Sequence, residues 1–253
     1  CFNIPGNGYD GKIFNNSEQF CVNDIASLFL LGLKKLKIQQ LFAIIGGSIG
    51  GAIAWEMTAL QPTITQKLIP IATDHQTSDW LNAHCMVQKY LLEIPEENLE
   101  KARIHAMLCY RTPDSINKRF GNAIETKTLK RKSEEWLLYH GKTLKKRYKK
   151  ESYQLMNHLL TTIDVDIHKI VNSSVEIHLI AIDTDLYFPT KTIRETYHLF
   201  NKNHKNTSYH EIISEYGHDA FLIEYEQLNK ILTPIFNYYE QPYHYHLQEQ
   251  SAY

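Results

Sequence analysis

The chain has 253 residues and carries 27 Lys and Arg against 28 Asp and Glu, which gives a net charge of -1. Its hydrophobic fraction of 43% and charged fraction of 22% are typical of a soluble globular protein, and they exclude a disordered chain, a collagen-like chain and a disulfide scaffold. The balanced charge provides no overall attraction to nucleic acid or acidic membranes, and no apolar run approaches the ~20 residues that span a bilayer.

The N-terminal part of the sequence has an unusual start. The chain begins with Cys1 rather than Met. Residues 1–4 are predicted to be the end of a strand that enters a loop over 5–8, and a helix is predicted over 23–37. We expect that Cys1 marks a cut through the fold and that the first strands of the sheet are missing from this chain.

Strands and helices alternate along most of the chain. Strands are predicted over 41–45, 67–73, 175–182 and 208–213, and helices over 49–60, 190–200 and 220–239. This alternation predicts an α/β fold with a parallel sheet. The tail over 240–253 has no periodicity.

A long helical stretch interrupts the alternation of strands and helices. Helices are predicted over 95–111, 133–150 and 153–163, with no strand pattern between them. An insertion there would roof the carboxyl ends of the strands, where α/β sheets hold their ligands. The predicted organisation is therefore a core part over 1–73, a helical lid over 74–165 and a second core part over 166–253.

A glycine-rich turn follows the first strand of this alternation and opens a helix. It contains G-x-S-x-G at Gly46, Ser48 and Gly50, the pattern of a nucleophile elbow, in which a serine lies on a sharp strand-to-helix turn. Small residues let the backbones approach closely there. The helix N-terminus favours negative charge, and the backbone N–H of Ile49 would be one oxyanion donor. The pattern predicts Ser48 as a nucleophile.

Other functions of glycine-rich turns match this sequence less well. A phosphate-binding Walker A loop ends in Gly-Lys-Ser/Thr, which is absent here. A dinucleotide-binding fingerprint needs glycine at i, i+2 and i+5, but the residue two after Gly46 is Ser48. A turn without chemistry is the remaining alternative, and the strand before it and the helix after it favour the elbow.

A serine nucleophile needs a base and an acid that orients the base, and on this fold they follow in the order Ser, acid, His. Asp183 and Asp185 follow the third predicted strand, and His218 lies between the fourth strand and the last helix. It is the only one of 13 histidines in that loop. The sequence predicts a triad of Ser48, Asp185 and His218, with Asp183 as the alternative acid.

Five segments carry a family resemblance. They are Gly46-Gly47-Ser48-Ile49-Gly50-Gly51, Ala54-Trp55-Glu56, Ala102-Arg103 through Tyr110-Arg111, Ile182-Asp183-Thr184-Asp185-Leu186-Tyr187-Phe188-Pro189, and Tyr216-Gly217-His218-Asp219-Ala220-Phe221-Leu222. In these segments the chain resembles the homoserine O-acetyltransferase family of α/β-hydrolase-fold acyltransferases. The segments occur in the family's order, and a generic esterase would not be expected to carry both of the last two. The resemblance implies Ser48 as nucleophile, His218 as base and Asp185, not Asp183, as acid.

The resemblance also implies substrate-binding residues. The family's arginine that binds the substrate carboxylate and its tyrosine seven residues later match Arg103 and Tyr110. Seven residues are nearly two helical turns, so both side chains share a face with Ala106 between them. Without the resemblance, Arg103 would be interpreted as a surface charge and Tyr110 as the edge of the core. The resemblance also implies that Asp219 binds the substrate ammonium. The alternative is that Asp219 caps the last helix.

The activity that the resemblance implies is acetyl transfer from acetyl-CoA to the hydroxyl of L-homoserine through an acetyl-serine intermediate, a step of methionine biosynthesis in the cytoplasm. Acetyl-CoA is then a co-substrate, and no permanently bound cofactor is expected. L-Serine as acceptor, succinyl-CoA as donor, a plain serine esterase or thioesterase, and an inactive fragment are the alternatives. The family's second oxyanion donor, on a His-Ala-Leu-Thr-Gly-like motif, has no counterpart before Ser48.

Other features of the sequence bear on metals and partners. The four cysteines are Cys1, Cys21, Cys85 and Cys109. None forms a C-x-x-C motif, so reduced cytosolic thiols and no metal site are expected; His244-x-His246 is a weak metal alternative. The ten Lys and Arg over 127–150 favour a solvated helix face, with CoA phosphates or nucleic acid as alternatives. We expect no nucleic-acid or membrane partner and consider a homodimer through the helical lid.

Overall fold

A parallel sheet forms the centre of the part of the chain that the structure describes. The computed structural model describes residues 1–203 and 206–236. Within them, the strands are β1 (Leu41–Gly47), β2 (Thr65–Ile71), β3 (Glu176–Ile182) and β4 (Thr207–Ile212). They pair in this order, and every neighbouring pair is parallel. The predicted parallel α/β fold is confirmed, and all four predicted strands lie at the predicted places.

Helices connect the strands and cover both faces of the sheet. In the described part of the chain they are α1 (Val22–Lys35), α2 (Ile49–Leu60), α3 (Asp79–Glu93), α4 (Asn98–Tyr110), α5 (Pro113–Phe120), α6 (Lys132–Arg147), α7 (Lys150–Thr161), α8 (His168–Val171), α9 (Thr190–Asn203) and α10 (Tyr225–Phe236). Helices α3 to α7 all lie between β2 and β3, where the sequence predicts a helical stretch. No helix in the described ranges combines the length and the apolar character needed to cross a membrane.

The strands are apolar on both faces because both faces of the sheet are covered. Along β2, Leu68 packs into the cluster that contains Trp55 of α2, and the next residue, Ile69, packs into the cluster that contains Ile235 of α10. Leu68, Ile69 and Trp55 are fully buried. A continuous apolar run of this kind is expected where helices lie on both sides of a parallel sheet.

Two predicted elements at the ends of the chain are wrong. Residues 1–4 form no strand, because this segment lies against α1, where Phe2 stacks on Phe29 with ring centroids 5.1 Å apart. The last helix begins at Tyr225 instead of 220, because a 3-10 helix over Gly217–Leu222 comes first. The end of that predicted helix, the tail over 240–253 and the His244-x-His246 pair lie outside the described residues.

The inserted helices pack on one another, α4 against α6 and α3 against both α4 and α7. Helix α4 lies close to α6, because Gly141 has no side chain: a Cβ there would lie 3.0 Å from the carbonyl oxygen of Glu100. Helix α3 packs on α7, where the side-chain amide of Asn157 donates to the carbonyl oxygen of Cys85 at 2.9 Å. The indole N–H of Trp80 on α3 donates to the carbonyl oxygen of Leu186 after β3. This last contact ties the helical segment to the carboxyl end of the sheet.

A buried carboxyl group in α2 should make the stability of the fold depend on pH. Glu56 is 7% exposed, and the side-chain amide of Asn23 donates to it at 2.5 Å. Burial raises the pKa of Glu56 above its ordinary value. The stability that this group contributes is therefore present at low pH and is lost as the pH rises through the folded-state pKa. Glu56→Gln keeps the acceptor oxygen without the charge, so we expect it to raise Tm at pH 8 by ~2–4 °C.

Thermal unfolding followed by circular dichroism at several pH values checks this prediction. The gain from Glu56→Gln should shrink as the pH falls through the raised pKa of wild-type Glu56, because the wild-type carboxyl group is then uncharged as well. Glu96→Gln, at an exposed position, is the matched control and should change Tm by little at any pH. A Glu56→Gln variant less stable than the wild type at pH 8 would show that the buried carboxylate is net stabilising.

Candidate active site

Ser48 lies on a strained turn between β1 and α2. Its backbone has φ 53° and ψ -127°, a conformation that non-glycine residues rarely adopt and that costs ~1–3 kcal/mol. Two glycines make the turn possible: a Cβ on Gly46 would lie 2.3 Å from the carbonyl group of Gly50, and a Cβ on Gly51 would lie 2.3 Å from Cγ2 of Thr73. A Cβ on Gly50 itself would meet no atom within 4 Å. The tight positions are therefore Gly46 and Gly51, whereas the sequence motif used Gly46 and Gly50.

Ser48, His218 and Asp185 form a continuous hydrogen-bonded array. The Nε2 atom of His218 lies 2.9 Å from Oγ of Ser48, and its Nδ1 atom lies 2.7 Å from Oδ2 of Asp185. The carboxylate of Asp185 is buried, and its Oδ1 accepts the backbone N–H groups of Tyr187 at 2.6 Å and Phe188 at 3.0 Å. A carboxylate fixed in this way holds the imidazole with one nitrogen directed at the serine hydroxyl.

Asp183, the alternative acid, does not contact the imidazole but supports its loop. Its exposed carboxylate accepts the backbone N–H of Ser214 at 2.8 Å. The hydroxyl of Thr184 donates to the carbonyl oxygen of Ser214 at 2.5 Å and accepts the backbone N–H of Gly217 at 3.2 Å. These bonds connect the end of β3 to the segment that carries His218.

A cavity of about 200 Å³ lies at Ser48. Four of the residues predicted from the sequence line it: Ser48, Ile49, Arg103 and Tyr110. The other lining residues are Leu144, Arg147, Tyr148, Tyr153, Met156, Asn157, Leu160 and Tyr187. Because Ile49 is the first residue of α2, its backbone N–H is one of the donors that a helix N-terminus leaves without an intrahelical acceptor.

Arg103 brings a positive charge to this cavity. Its guanidinium carbon lies 5.1 Å from the ring centroid of Tyr110, one of whose faces it covers. Within residues 1–203 and 206–236, no carboxylate lies within ion-pair distance of Arg103. A half-buried guanidinium that has no carboxylate partner is suited to bind the carboxylate of a ligand, with the aromatic ring as support.

Three buried tyrosines, Tyr110, Tyr153 and Tyr187, line the same cavity as Arg103. Burial raises the pKa of Tyr110, and it raises the pKa of Tyr153 and of Tyr187 well above the ordinary value. The three phenol groups are therefore uncharged at neutral pH and can each donate a hydrogen bond. The ring of Tyr187 also lies against the ring of His218, with centroids 5.2 Å apart.

Asp219 lies outside the set of residues that line the cavity. Its Oδ2 atom is 3.0 Å from Nε of Arg111, and both side chains are about one-fifth exposed. Arg111 therefore offsets the charge that was predicted to face a substrate ammonium. The alternative, capping of the last helix, is wrong because α10 begins six residues later, at Tyr225.

Sequence reasoning did not single out eight of the cavity residues, among them Tyr187, Arg147 and Tyr153. Tyr187 falls inside one of the segments that carry the family resemblance, two residues after Asp185, so the signal was present. Arg147 was counted only as part of a basic run, and Tyr153 only as the start of a helix. Both reach the cavity because α6 and α7 fold over the end of the sheet, a tertiary arrangement that helical periodicity does not encode.

The parallel sheet with a strained serine after β1, an aspartate after β3 and a histidine after β4 defines an α/β-hydrolase type of protein. The chain belongs to the alpha/beta hydrolase fold family, whose model matches residues 1–225.

The chain is similar in sequence to homoserine O-acetyltransferases and similar in fold to proteins of two kinds. The chain is 28% identical over 238 residues to a homoserine O-acetyltransferase of Methanococcus vannielii. The aligned region covers 84% of this chain and 48% of that protein. The chain thus spans about half the length of this relative. The fold is similar to that of homoserine O-acetyltransferase from Bacillus anthracis (TM-score 0.77, 17% identity, 86% of this chain and 65% of that one). It is also similar to an acetylester hydrolase from Corynebacterium glutamicum (TM-score 0.70, 17% identity, 90% and 72%).

Proposed function

We propose that this chain carries the acyl-transfer site of a homoserine O-acetyltransferase. The enzyme would move an acetyl group from acetyl-CoA to the hydroxyl of L-homoserine. The hydrogen-bonded array of Ser48, His218 and Asp185 supports acyl transfer through a serine ester. The observation that carries the choice of acceptor is the position of Arg103, whose guanidinium faces the cavity of Ser48 without a carboxylate partner. The named relative at 28% identity supports the same choice.

The first half of the proposed reaction forms an acetyl-serine. Oγ of Ser48 attacks the thioester carbonyl carbon while Nε2 of His218 takes the hydroxyl proton. The N–H of Ile49 donates to the oxyanion. The carbon–sulfur bond then breaks, and CoA leaves as a thiol with the proton that His218 held. Asp185 stabilises the transient imidazolium and does not itself become protonated.

The second half transfers the acetyl group to the acceptor. Homoserine enters with its carboxylate on Arg103 and a hydrogen bond from Tyr110. Nε2 of His218 takes the proton of the acceptor hydroxyl, whose oxygen attacks the ester carbonyl carbon. The bond to Oγ breaks, and His218 returns the proton to Ser48. Protons and electrons therefore balance over the two half-reactions, and Ser48 and His218 return to their starting states.

Water must be kept from the acetyl-serine for transfer to exceed hydrolysis. The side chains of Leu144, Met156 and Leu160 come from α6 and α7 and line the cavity above Ser48. They present apolar surface to the cavity, which disfavours water near the ester. Arg147, from the end of α6, also lines the cavity and is exposed, which suits it to meet the phosphates of the donor as they enter.

Thiol release from acetyl-CoA tests the proposed function. The purified chain is mixed with acetyl-CoA alone, with L-homoserine or with L-serine, and free CoA thiol is followed over time. We expect a burst of about one thiol per active site without acceptor and steady turnover with homoserine, because an acetyl-serine forms in the first half-reaction. Steady turnover at the same rate without any amino acid would instead indicate a thioesterase. Turnover with serine, or with succinyl-CoA as donor, would reassign the acceptor or the donor on the same site.

A further inference from the structure

Two histidines and a cysteine meet between α3 and α4, away from Ser48. They are His84 on α3 and His105 and Cys109 on α4, and one nitrogen of each histidine and Sγ of the cysteine all lie within 4.8 Å of one another. Cys109 follows His105 by four residues, so both side chains point from the same face of the helix. An i, i+4 pair on one helix with a third group from a facing helix is an arrangement that protein zinc sites use.

His84 has a buried polar atom with no partner in the described part of the chain. Its side chain is 6% exposed, and Nε2 is buried without a hydrogen bond. Buried polar atoms in folded proteins nearly always have a partner, and each exception calls for an explanation. A ligand between His84 and the two α4 side chains would satisfy this nitrogen.

His105 is held in place by groups behind it. The side-chain amide of Gln88 lies 2.8 Å from Nδ1 of His105, and its oxygen accepts the hydroxyl of Tyr153 at 3.0 Å. Histidines that bind metal ions usually donate the N–H of the other ring nitrogen to an acceptor group. For the lone pair of Nε2 to face the cluster, Nδ1 of His105 must carry the proton, so metal binding requires the Gln88 amide to rotate and present its oxygen to Nδ1.

We propose that His84, His105 and Cys109 bind a Zn²⁺ ion, with water as the fourth ligand. Two imidazole nitrogens and one thiolate suit zinc and related transition metals, whereas Mg²⁺ and Ca²⁺ require oxygen ligands. Bond lengths of ~2.0–2.1 Å to nitrogen and ~2.3 Å to sulfur need the three ligand atoms to close in through side-chain rotation. On binding, the thiol of Cys109 releases its proton to solvent, and no other bond is made or broken.

The proposed zinc site lies directly behind the wall of the active-site cavity. The ring of His84 lies edge-on to Tyr187 with centroids 4.6 Å apart, and Tyr187 contacts the ring of His218. Gln88 connects the cluster to Tyr153, which lines the cavity. An ion at this place would fix α3 against α4, the helix that carries Arg103 and Tyr110. Zinc binding should therefore stabilise the site's scaffold without contact with the reacting atoms.

Cobalt spectroscopy of the whole chain, without an affinity tag and after chelator treatment, tests the proposal. Co²⁺ replaces Zn²⁺ in such sites, and its bond to a thiolate gives a charge-transfer absorption that a site of nitrogen and oxygen ligands lacks. We expect one Co²⁺ per chain, the charge-transfer band, and loss of both when Zn²⁺ is added. Cys109→Ser should lose the band, and His105→Gln should weaken binding by ~10–100-fold or more.

Matched variants separate this site from other cysteines and histidines. Cys21→Ser, His198→Gln and the double variant H244Q/H246Q change residues outside the cluster and should bind Co²⁺ like the wild type. If Cys109→Ser fails to fold, thermal unfolding of the wild type provides the second readout, since a ligand that binds only the folded state raises Tm. His105→Gln, at a half-buried position, should lose that rise.

Three results would overturn the proposal: no charge-transfer band in the wild type, a band that persists in Cys109→Ser, or binding that disappears in H244Q/H246Q. None of these measurements uses acetyl-CoA or an acceptor. A failure of the zinc site is therefore distinguishable from a failure of the proposed acetyltransferase activity.

Discussion

Ser48→Ala should abolish thiol release from acetyl-CoA, with a loss in kcat of at least ~10⁴-fold. The hydroxyl removed is the one that lies 2.9 Å from Nε2 of His218, and no other hydroxyl is directed at that nitrogen among the described residues. The burst and the steady turnover should disappear together, because both need the same serine ester. Stopped-flow detection of free thiol measures both phases.

A second substitution at the same position links the activity to the strained turn. Ser48→Gly removes the hydroxyl and also the Cβ that makes φ 53° and ψ -127° unfavourable. Relief of ~1–3 kcal/mol of backbone strain is partly offset by the ~0.5–1 kcal/mol entropy cost of glycine. We expect Ser48→Gly to be inactive and more stable than Ser48→Ala by about 1 kcal/mol, or ~2–4 °C in Tm.

The stability and activity results have separate consequences. Activity that survives in Ser48→Ala would remove the nucleophile from the proposed mechanism. Equal stability of the alanine and glycine variants would leave the mechanism intact but show that the turn stores no strain. The comparison thus measures what the protein gives up in stability to hold its nucleophile in position.

The sequence was most informative where chemistry and local backbone geometry coincide. A turn with the glycines of an elbow predicted the position of Ser48, because few residue patterns can join a strand to a helix so sharply. The order of serine, acid and histidine then reduced the search to the ends of two later strands. Chain order alone left Asp183 and Asp185 as alternatives, and the family resemblance favoured Asp185. The fold brings the carboxylate of Asp185 to the imidazole of His218.

The sequence was least informative where a side chain's role depends on another element. Residues 1–4 have the composition of a strand, but a strand exists only where a neighbour pairs with it. The resemblance implied that Asp219 faces the substrate ammonium, and the sequence did not reveal its ion pair with Arg111 because Arg111 lies on a different element. His84 is 21 residues from His105, and the zinc proposal rests on the packing of α3 against α4, which neither helix reveals by itself.

Arg103→Ala should separate the two halves of the proposed reaction. The guanidinium is expected to bind the carboxylate of the acceptor, and a hydrogen bond to a charged group contributes ~1.5–3 kcal/mol. With a bidentate contact and little competing solvent, we expect kcat/KM for homoserine to fall by ~10²–10³-fold. The thiol burst with acetyl-CoA alone should stay within about threefold of the wild type, because the first half-reaction contains no acceptor.

Two further arginine variants make the interpretation of this loss specific. Arg103→Lys keeps the charge but not the planar fork, so it should recover only part of the activity if the carboxylate is held by two parallel bonds. Arg194→Ala removes an exposed guanidinium that pairs with Glu211 and should leave both phases unchanged. Equal losses in the burst and in turnover for Arg103→Ala would mean that the residue supports the cavity as a whole, since the ring of Tyr110 rests against it. A burst that survives while homoserine turnover collapses is explained only if Arg103 recognises the acceptor, and that result would separate a transferase from a hydrolase built on the same triad.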